Sequence, residues 1–187
     1  MNILKFASSQ SLSISYGFLS IVSLVNLLLY VSQKKLLYLY SFLTTTIASF
    51  FYFLFFKMQS VPIKYRYIDW IITTPILLLE LCILSKIKNS KIIVAIVLIN
   101  FLTFALGWLG EIKYLNRYLS CFLAFIPFVV TFVIITKNAE WNYFIPFFII
   151  IWTFYGLVYL IQNTLLKNTL YNGLDCVSKG VFSILLI

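Results

Sequence analysis

Two apolar stretches carry ionisable side chains that could do chemistry. RYIDWIITTPILLLE, Arg66 to Glu80, holds an arginine, an aspartate and a glutamate, and LYNGLDCVSKGVF, Leu170 to Phe182, holds Asp175 and Lys179. The chain has only 5 acidic residues, so three of them (Asp69, Glu80 and Asp175) in such surroundings is a concentration that needs a cause. A buried carboxyl or amine can hold a proton, pass one on, or pair with an opposite charge. Histidine is absent, which removes the commonest general base and metal ligand. Cys82, Cys121 and Cys176 lie far apart in apolar segments and form neither a disulfide framework nor a metal-ligand spacing, so no metal site is expected.

Spacing indicates how these groups meet. On a helix Asp69 and Glu80 are about three turns apart and share one face, roughly 16 Å from each other. Thr73 lies one turn after Asp69, within hydrogen-bond reach, and Arg66 about one turn before it, placed for a charge contact. Asp175 and Lys179 are also one turn apart. Where the two faces meet, Lys179 would stand between two aspartates. Spacing alone fits two readings equally: ion pairs that staple a third helix to a seventh, with Glu80 neutral, or a functional charge site. Buried ion pairs stabilise weakly, which limits the first reading.

The elements that must position these residues are membrane helices. The chain is 63% hydrophobic and 10% charged, with a mean hydropathy of +1.03, far from the composition of a water-soluble domain. Seven apolar segments lie near Leu12–Val31, Leu36–Phe56, Arg66–Ser85, Ile92–Gly110, Tyr118–Thr136, Tyr143–Gln162 and Leu166–Ile187. Each has roughly the 20 residues a helix needs to cross the hydrocarbon core. Unbroken apolar runs lack the alternation of a membrane barrel. The expectation is therefore an all-α, seven-transmembrane helix bundle forming one domain over residues 1–187. The connections SQKK, KMQSVPIK, SKIKNSK, GEIKYLNR, TKNAEWN and QNTLLKN are short, so neighbours in sequence should be neighbours in space. Glu111 and Glu140 fall in these gaps and read as solvated loop acids. The first apolar run is too long for a secretory signal. The net charge of +9 sits mostly in the gaps, which suits basic loops at a lipid surface and not a nucleic-acid interface. Lys34, Lys35, Lys86, Lys88, Lys91 and Lys137 would lie on one side, and Lys5, Lys57, Lys64, Lys113, Arg117 and Lys167 on the other. Six against six leaves orientation open.

The residues also carry a resemblance. RYIDW followed by Thr73, Pro75 and Glu80 resembles the third helix of microbial rhodopsins, in its proteorhodopsin version. LYNGLDCVSKGVF resembles the seventh helix, where an aspartate precedes the retinal-binding lysine by one turn. WTFYGLVY, Trp152 to Tyr159, is similar to the sixth-helix retinal clamp, and GWLGE, Gly107 to Glu111, to a short stretch after helix four. The compact loops are similar to those of the short viral members.

This resemblance implies roles. Lys179 would form a Schiff base with all-trans retinal, with Asp69 as primary counterion and proton acceptor and Asp175 as second counterion, held by Tyr155 and Tyr52. Arg66 would close the extracellular side, Thr73 would tune Asp69 by a hydrogen bond, and Glu80 would stay protonated and act as proton donor. Trp70, Thr74, Leu77, Trp152, Tyr155 and Tyr159 would line the chromophore, with Leu77 in the place that goes with green absorption. The N-terminus would lie outside, and the chain would form a homo-oligomer in the bilayer. Several features depart from the family pattern, among them a gap between helices two and three too short for the usual long hairpin. Phe51 stands where proteorhodopsins carry a histidine, so Asp69 is expected to stay ionised to lower pH. Gly156 replaces the sixth-helix proline. No carboxylate lies between helices six and seven, which leaves Glu111 as a candidate release group. The implied function is a light-driven outward proton pump, not an enzyme; a light-gated cation channel and a sensory photoreceptor are the alternatives.

Overall fold

Lipid offers no hydrogen bonds, so each apolar run must satisfy its own peptide groups, and a helix does this within one segment. The computed structural model describes residues 3–58 and 61–187, with the side chains of residues 3 and 4 outside the description. Gln59 and Ser60, in the expected connection KMQSVPIK, also lie outside it. The described residues form helices and no strand: α1 (Ile3–Gln33), α2 (Leu36–Lys57), a 3-10 turn (Ile63–Tyr65), α3 (Arg66–Leu84), α4 (Ser90–Glu111), α5 (Arg117–Asn138), α6 (Phe144–Tyr159) and α7 (Thr164–Asp175). The last continues without a break through a π-helical stretch, Cys176–Val181, into a final α turn, Phe182–Ile184. The chain is all-α, as expected.

Several boundaries differ from expectation, each for a local reason. α1 starts at Ile3 instead of Leu12, because the serines there fold onto the helix's own carbonyls: Ser11 Oγ donates to the Ser8 carbonyl at 2.9 Å and Ser13 Oγ to that of Ser9 at 3.4 Å. α1 to α5 are long and apolar enough to cross a membrane. α6 has 16 residues and ends at Tyr159, short of the expected Gln162. Pro146 falls in its first turn, where a missing N–H is tolerated. α7 starts at Thr164 because Asn163 caps it, its Oδ1 accepting from Leu166 N–H at 3.0 Å. Asn116 does the same for α5, accepting from Tyr118 and Leu119 N–H at 2.9 and 3.3 Å. Lys34, Lys86 and Lys113 turn the chain with φ of 56°, 55° and 64°, a left-handed geometry that glycine would adopt with less strain.

The helices divide into two compact units. The first joins the chain up to Ile63 with Ile161–Ile187, and so contains α1, α2 and α7. Leu12, Leu19, Ala48, Tyr52, Phe55 and Val61 form its apolar core, with Phe51 packed against it. Hydroxyl pairs stitch α1 to α2, Ser20 to Ser49 at 2.7 Å and Ser23 to Thr46 at 2.6 Å. Such pairs suit membrane helices, where small polar residues allow close approach. The second unit, Lys64–Leu160, holds α3 to α6. In it α4 packs along α5, and α3 meets both α4 and α6. At the loops, Lys86 pairs with Glu140 at 2.6 Å, both side chains largely exposed, while Glu140 N–H donates to the Ser85 carbonyl at 2.8 Å.

Candidate functional site

In the first unit the site begins with the π-helical stretch after Asp175. A π turn spreads the residues of a helix more widely than an α turn, and such turns concentrate at functional positions. Lys179 sits inside it with 2% exposure, and its Nζ lies 3.5 Å from Asp175 Oδ1. The other carboxylate oxygen, Oδ2, accepts a hydrogen bond of 2.8 Å from the Tyr52 hydroxyl on α2. Asp175 is therefore fixed from two sides, by the amine of its own helix and the phenol of the neighbouring one. Gly180 follows Lys179, and a Cβ there would collide with the Phe18 ring of α1, so α1 approaches the backbone beside the amine as only glycine allows.

A polar seam runs from this pair along α1 and α7. Cys176 Sγ donates to Ser15 Oγ at 3.2 Å, Ser15 Oγ to the Asn172 carbonyl at 3.3 Å, and Asn172 Nδ2 to Ser11 Oγ at 2.7 Å. Asn168 Nδ2 donates to the Val61 carbonyl at 2.9 Å. Sequence reasoning did not single out this seam. It also counted Lys167 among the loop cations, whereas the structure places it inside α7 with 1% exposure. The available signal was the i, i+4 ladder Lys167, Tyr171, Asp175, Lys179, all buried.

In the second unit α3 presents the two carboxylates. Arg66 opens the helix, and Arg66, Asp69, Thr73, Thr74, Leu77 and Glu80 are all buried along it, Glu80 at 0% exposure. Thr73 differs from expectation: its Oγ1 donates to the main-chain carbonyl of Asp69 at 2.8 Å. A helical threonine reaches the i−4 carbonyl more readily than an i−4 side chain, so its contact with Asp69 runs through the backbone.

The aromatic residues form two groups here. Trp70 meets Tyr155 edge-on at 5.4 Å between centroids and Tyr67 at 5.1 Å. Trp152 packs edge-on against Phe148 at 5.1 Å and Phe132 at 5.8 Å. Tyr159 also ties α6 to α4 and α5, since its hydroxyl bonds the Gly107 carbonyl at 3.1 Å and Ser120 Oγ at 3.2 Å. This explains the glycines of GWLGE. A Cβ at Gly110 would strike the Tyr159 hydroxyl and Ser120, and one at Gly107 would lie 3.0 Å from the Tyr67 hydroxyl. Glu111 is the last residue of α4 and not a solvated loop acid; its side chain is 12% exposed and lies 3.9 Å from Arg117.

The first unit fits a covalently held aldehyde chromophore by its donor set. A buried primary amine is the group that condenses with an aldehyde, and a fixed carboxylate beside it balances the charge of the protonated product.

Comparison with known proteins agrees with this fold. The chain superposes on the crystal structure of viral rhodopsin OLPVRII with a TM-score of 0.89 and 24% identity, covering 95% of this chain and 94% of that one. For a light-driven proton pump from Leptosphaeria maculans the TM-score is 0.80 at 19% identity, covering 96% and 94%. For blue light-absorbing proteorhodopsin from Med12 it is 0.83 at 17% identity, covering 96% and 93%. No curated protein sequence matches the chain. The profile of bacteriorhodopsin-like proteins matches residues 7–187, nearly the whole length. The protein is an all-helical chain of the microbial rhodopsin fold and belongs to the bacteriorhodopsin-like family.

Proposed function

We propose that this protein is a retinal-binding, light-driven outward proton pump, with Asp69 as proton acceptor and Glu80 as proton donor. The observation that carries this reading is the buried face of α3. Two carboxyl groups lie on it three turns apart, and the inner one, Glu80, has no exposure at all. An ionisable group so placed is costly, by ~2.5–3.5 kcal/mol even on the lower scales, and a proton relay gives it a purpose that an ion-pair staple does not. The family and the apolar helices fit an integral membrane protein, and the family implies a retinal chromophore.

Retinal, which Lys179 Nζ would hold, would supply light absorption and photoisomerisation beside that nitrogen. Asp175, held by the Tyr52 hydroxyl, stays in place beside Nζ. Asp69 takes up the proton on a carboxylate oxygen. Arg66, about one turn away on the same buried face of α3, supplies a positive charge on the acceptor's side. Glu80, buried on α3, supplies a proton to the nitrogen and refills from the opposite side. Trp70, Thr74, Leu77, Trp152, Tyr155 and Tyr159 shape the apolar space and exclude water from the polyene. By family analogy the N-terminus faces outward, so the net movement is outward.

Illumination of cells or proteoliposomes tests this. Acidification of the cell medium without an imposed gradient, abolished by a protonophore, is expected; a passive current reversing at an ion's equilibrium potential contradicts it. That second outcome is the signature of a light-gated cation channel, which one observation favours: the polar seam of Ser11, Ser15, Asn172 and Cys176 offers hydroxyls and amides to a hydrated cation.

A further inference from the structure

Asn100 stands midway along α4, a depth where membrane helices carry apolar side chains. It is 2% exposed, and its Oδ1 finds no hydrogen-bond partner among the described residues. It lines a crevice of about 90 Å³ between α3 and α4, together with Ile71, Pro75, Phe101 and Phe104. The rim is lipid-facing: Leu98 and Phe101 are exposed apolar side chains. Pro75 has no N–H, so the Ile71 carbonyl loses the donor that residue i+4 of a helix normally supplies. Asn100 and Ile71 thus line one small apolar-walled space.

The occupant must supply hydrogen bonds and fit the volume. A lipid acyl chain would fill space and leave Oδ1 and the carbonyl unsatisfied in hydrocarbon, the costly arrangement. An ion has no opposite charge here to hold it. Water meets both needs: a molecule occupies about 30 Å³ in the liquid, and sites with two to four polar partners hold it well. We propose that the α3–α4 crevice is an intramembrane hydration site, holding a small water cluster that donates to Asn100 Oδ1 and to the Ile71 carbonyl and accepts from Asn100 Nδ2. The cluster restores the hydrogen bonding that Pro75 removes, on the side of α3 away from Asp69 and Glu80, and lets α3 bend at Pro75 without presenting a carbonyl to lipid. This inference does not depend on proton transport.

Water-edited solid-state NMR on the full chain in perdeuterated phosphatidylcholine bilayers tests it without light. Asn100 Nδ2 and the Ile71 carbonyl carbon should receive polarisation from water as early as the capping side chain of Asn116, and several-fold earlier than the Leu98 methyls. In Asn100→Leu, of equal bulk and apolar, transfer to the Ile71 carbonyl should fall at least twofold. Pro75→Ala, which returns an N–H to that carbonyl, should reduce its transfer similarly while Asn100 keeps its own, and it serves as the variant should Asn100→Leu fail to insert. Asn100 receiving polarisation as slowly as Leu98, or an Ile71 signal unchanged in the variant that inserts, would overturn the proposal.

Discussion

Gly180→Ala puts the packing beside the amine to a direct test. The Cβ added there would fall on the Phe18 ring, well inside van der Waals contact, with further ring atoms at 3.0 Å, so the three nearest atoms all belong to one side chain. Either the ring leaves its rotamer or the π-helical stretch shifts away from α1. Overpacking of this kind costs about 1–3 kcal/mol. At about 2–4 °C per kcal/mol for a chain of this length, the thermal midpoint in detergent should fall by several degrees. Because one neighbour accounts for the clash, Phe18→Ala should relieve it. In a double-mutant cycle, Gly180→Ala should cost less in the Phe18→Ala background, with a coupling of about 1–3 kcal/mol. Additive losses, or an alanine variant as stable as the parent, would refute the close approach of α1 to the backbone at Lys179.

Other expectations follow from the same geometry. Gly110→Ala should destabilise the second unit by about 2 kcal/mol or more, because it displaces the Tyr159 hydroxyl and Ser120 together; an unchanged midpoint in a thermal melt counts against that packing. Glu80→Gln keeps the shape and removes the proton, so recovery after a flash should slow by about 10²-fold, and an unchanged photocycle would remove Glu80 as donor. Tyr52→Phe strips one donor from Asp175 and should shift the visible band of the pigment; an unmoved band would mean that the phenol does not act on the chromophore's charge.

The helices were legible because apolar length is a strong signal in a membrane chain, while the asparagine caps at Asn89, Asn116 and Asn163, which set three helix starts, were not used. The serine-rich start of α1 was hidden, since hydropathy scores its hydroxyls as polar while the helix absorbs them. Burial of charge was expected, and is found, where apolar residues surround it, as at Asp69, Glu80, Asp175 and Lys179. It was misread at Lys167, whose polar neighbours Asn163 and Asn168 suggested a loop although one belongs to a cap and the other to a buried seam. Spacing placed Thr73 within reach of Asp69 and did not specify the accepting atom, which is the main-chain carbonyl, because side-chain spacing does not tell a carboxylate from the carbonyl beneath it. The crevice at Asn100 arises from Pro75 on another helix, a pairing that one-dimensional spacing does not contain.

The central claim is that the Lys179 amine carries the chromophore, and the visible spectrum after adding all-trans retinal to the expressed protein measures it most directly. The parent protein should develop a visible absorption band that Lys179→Ala lacks. A colourless parent, or a band that survives loss of the amine, would contradict the account.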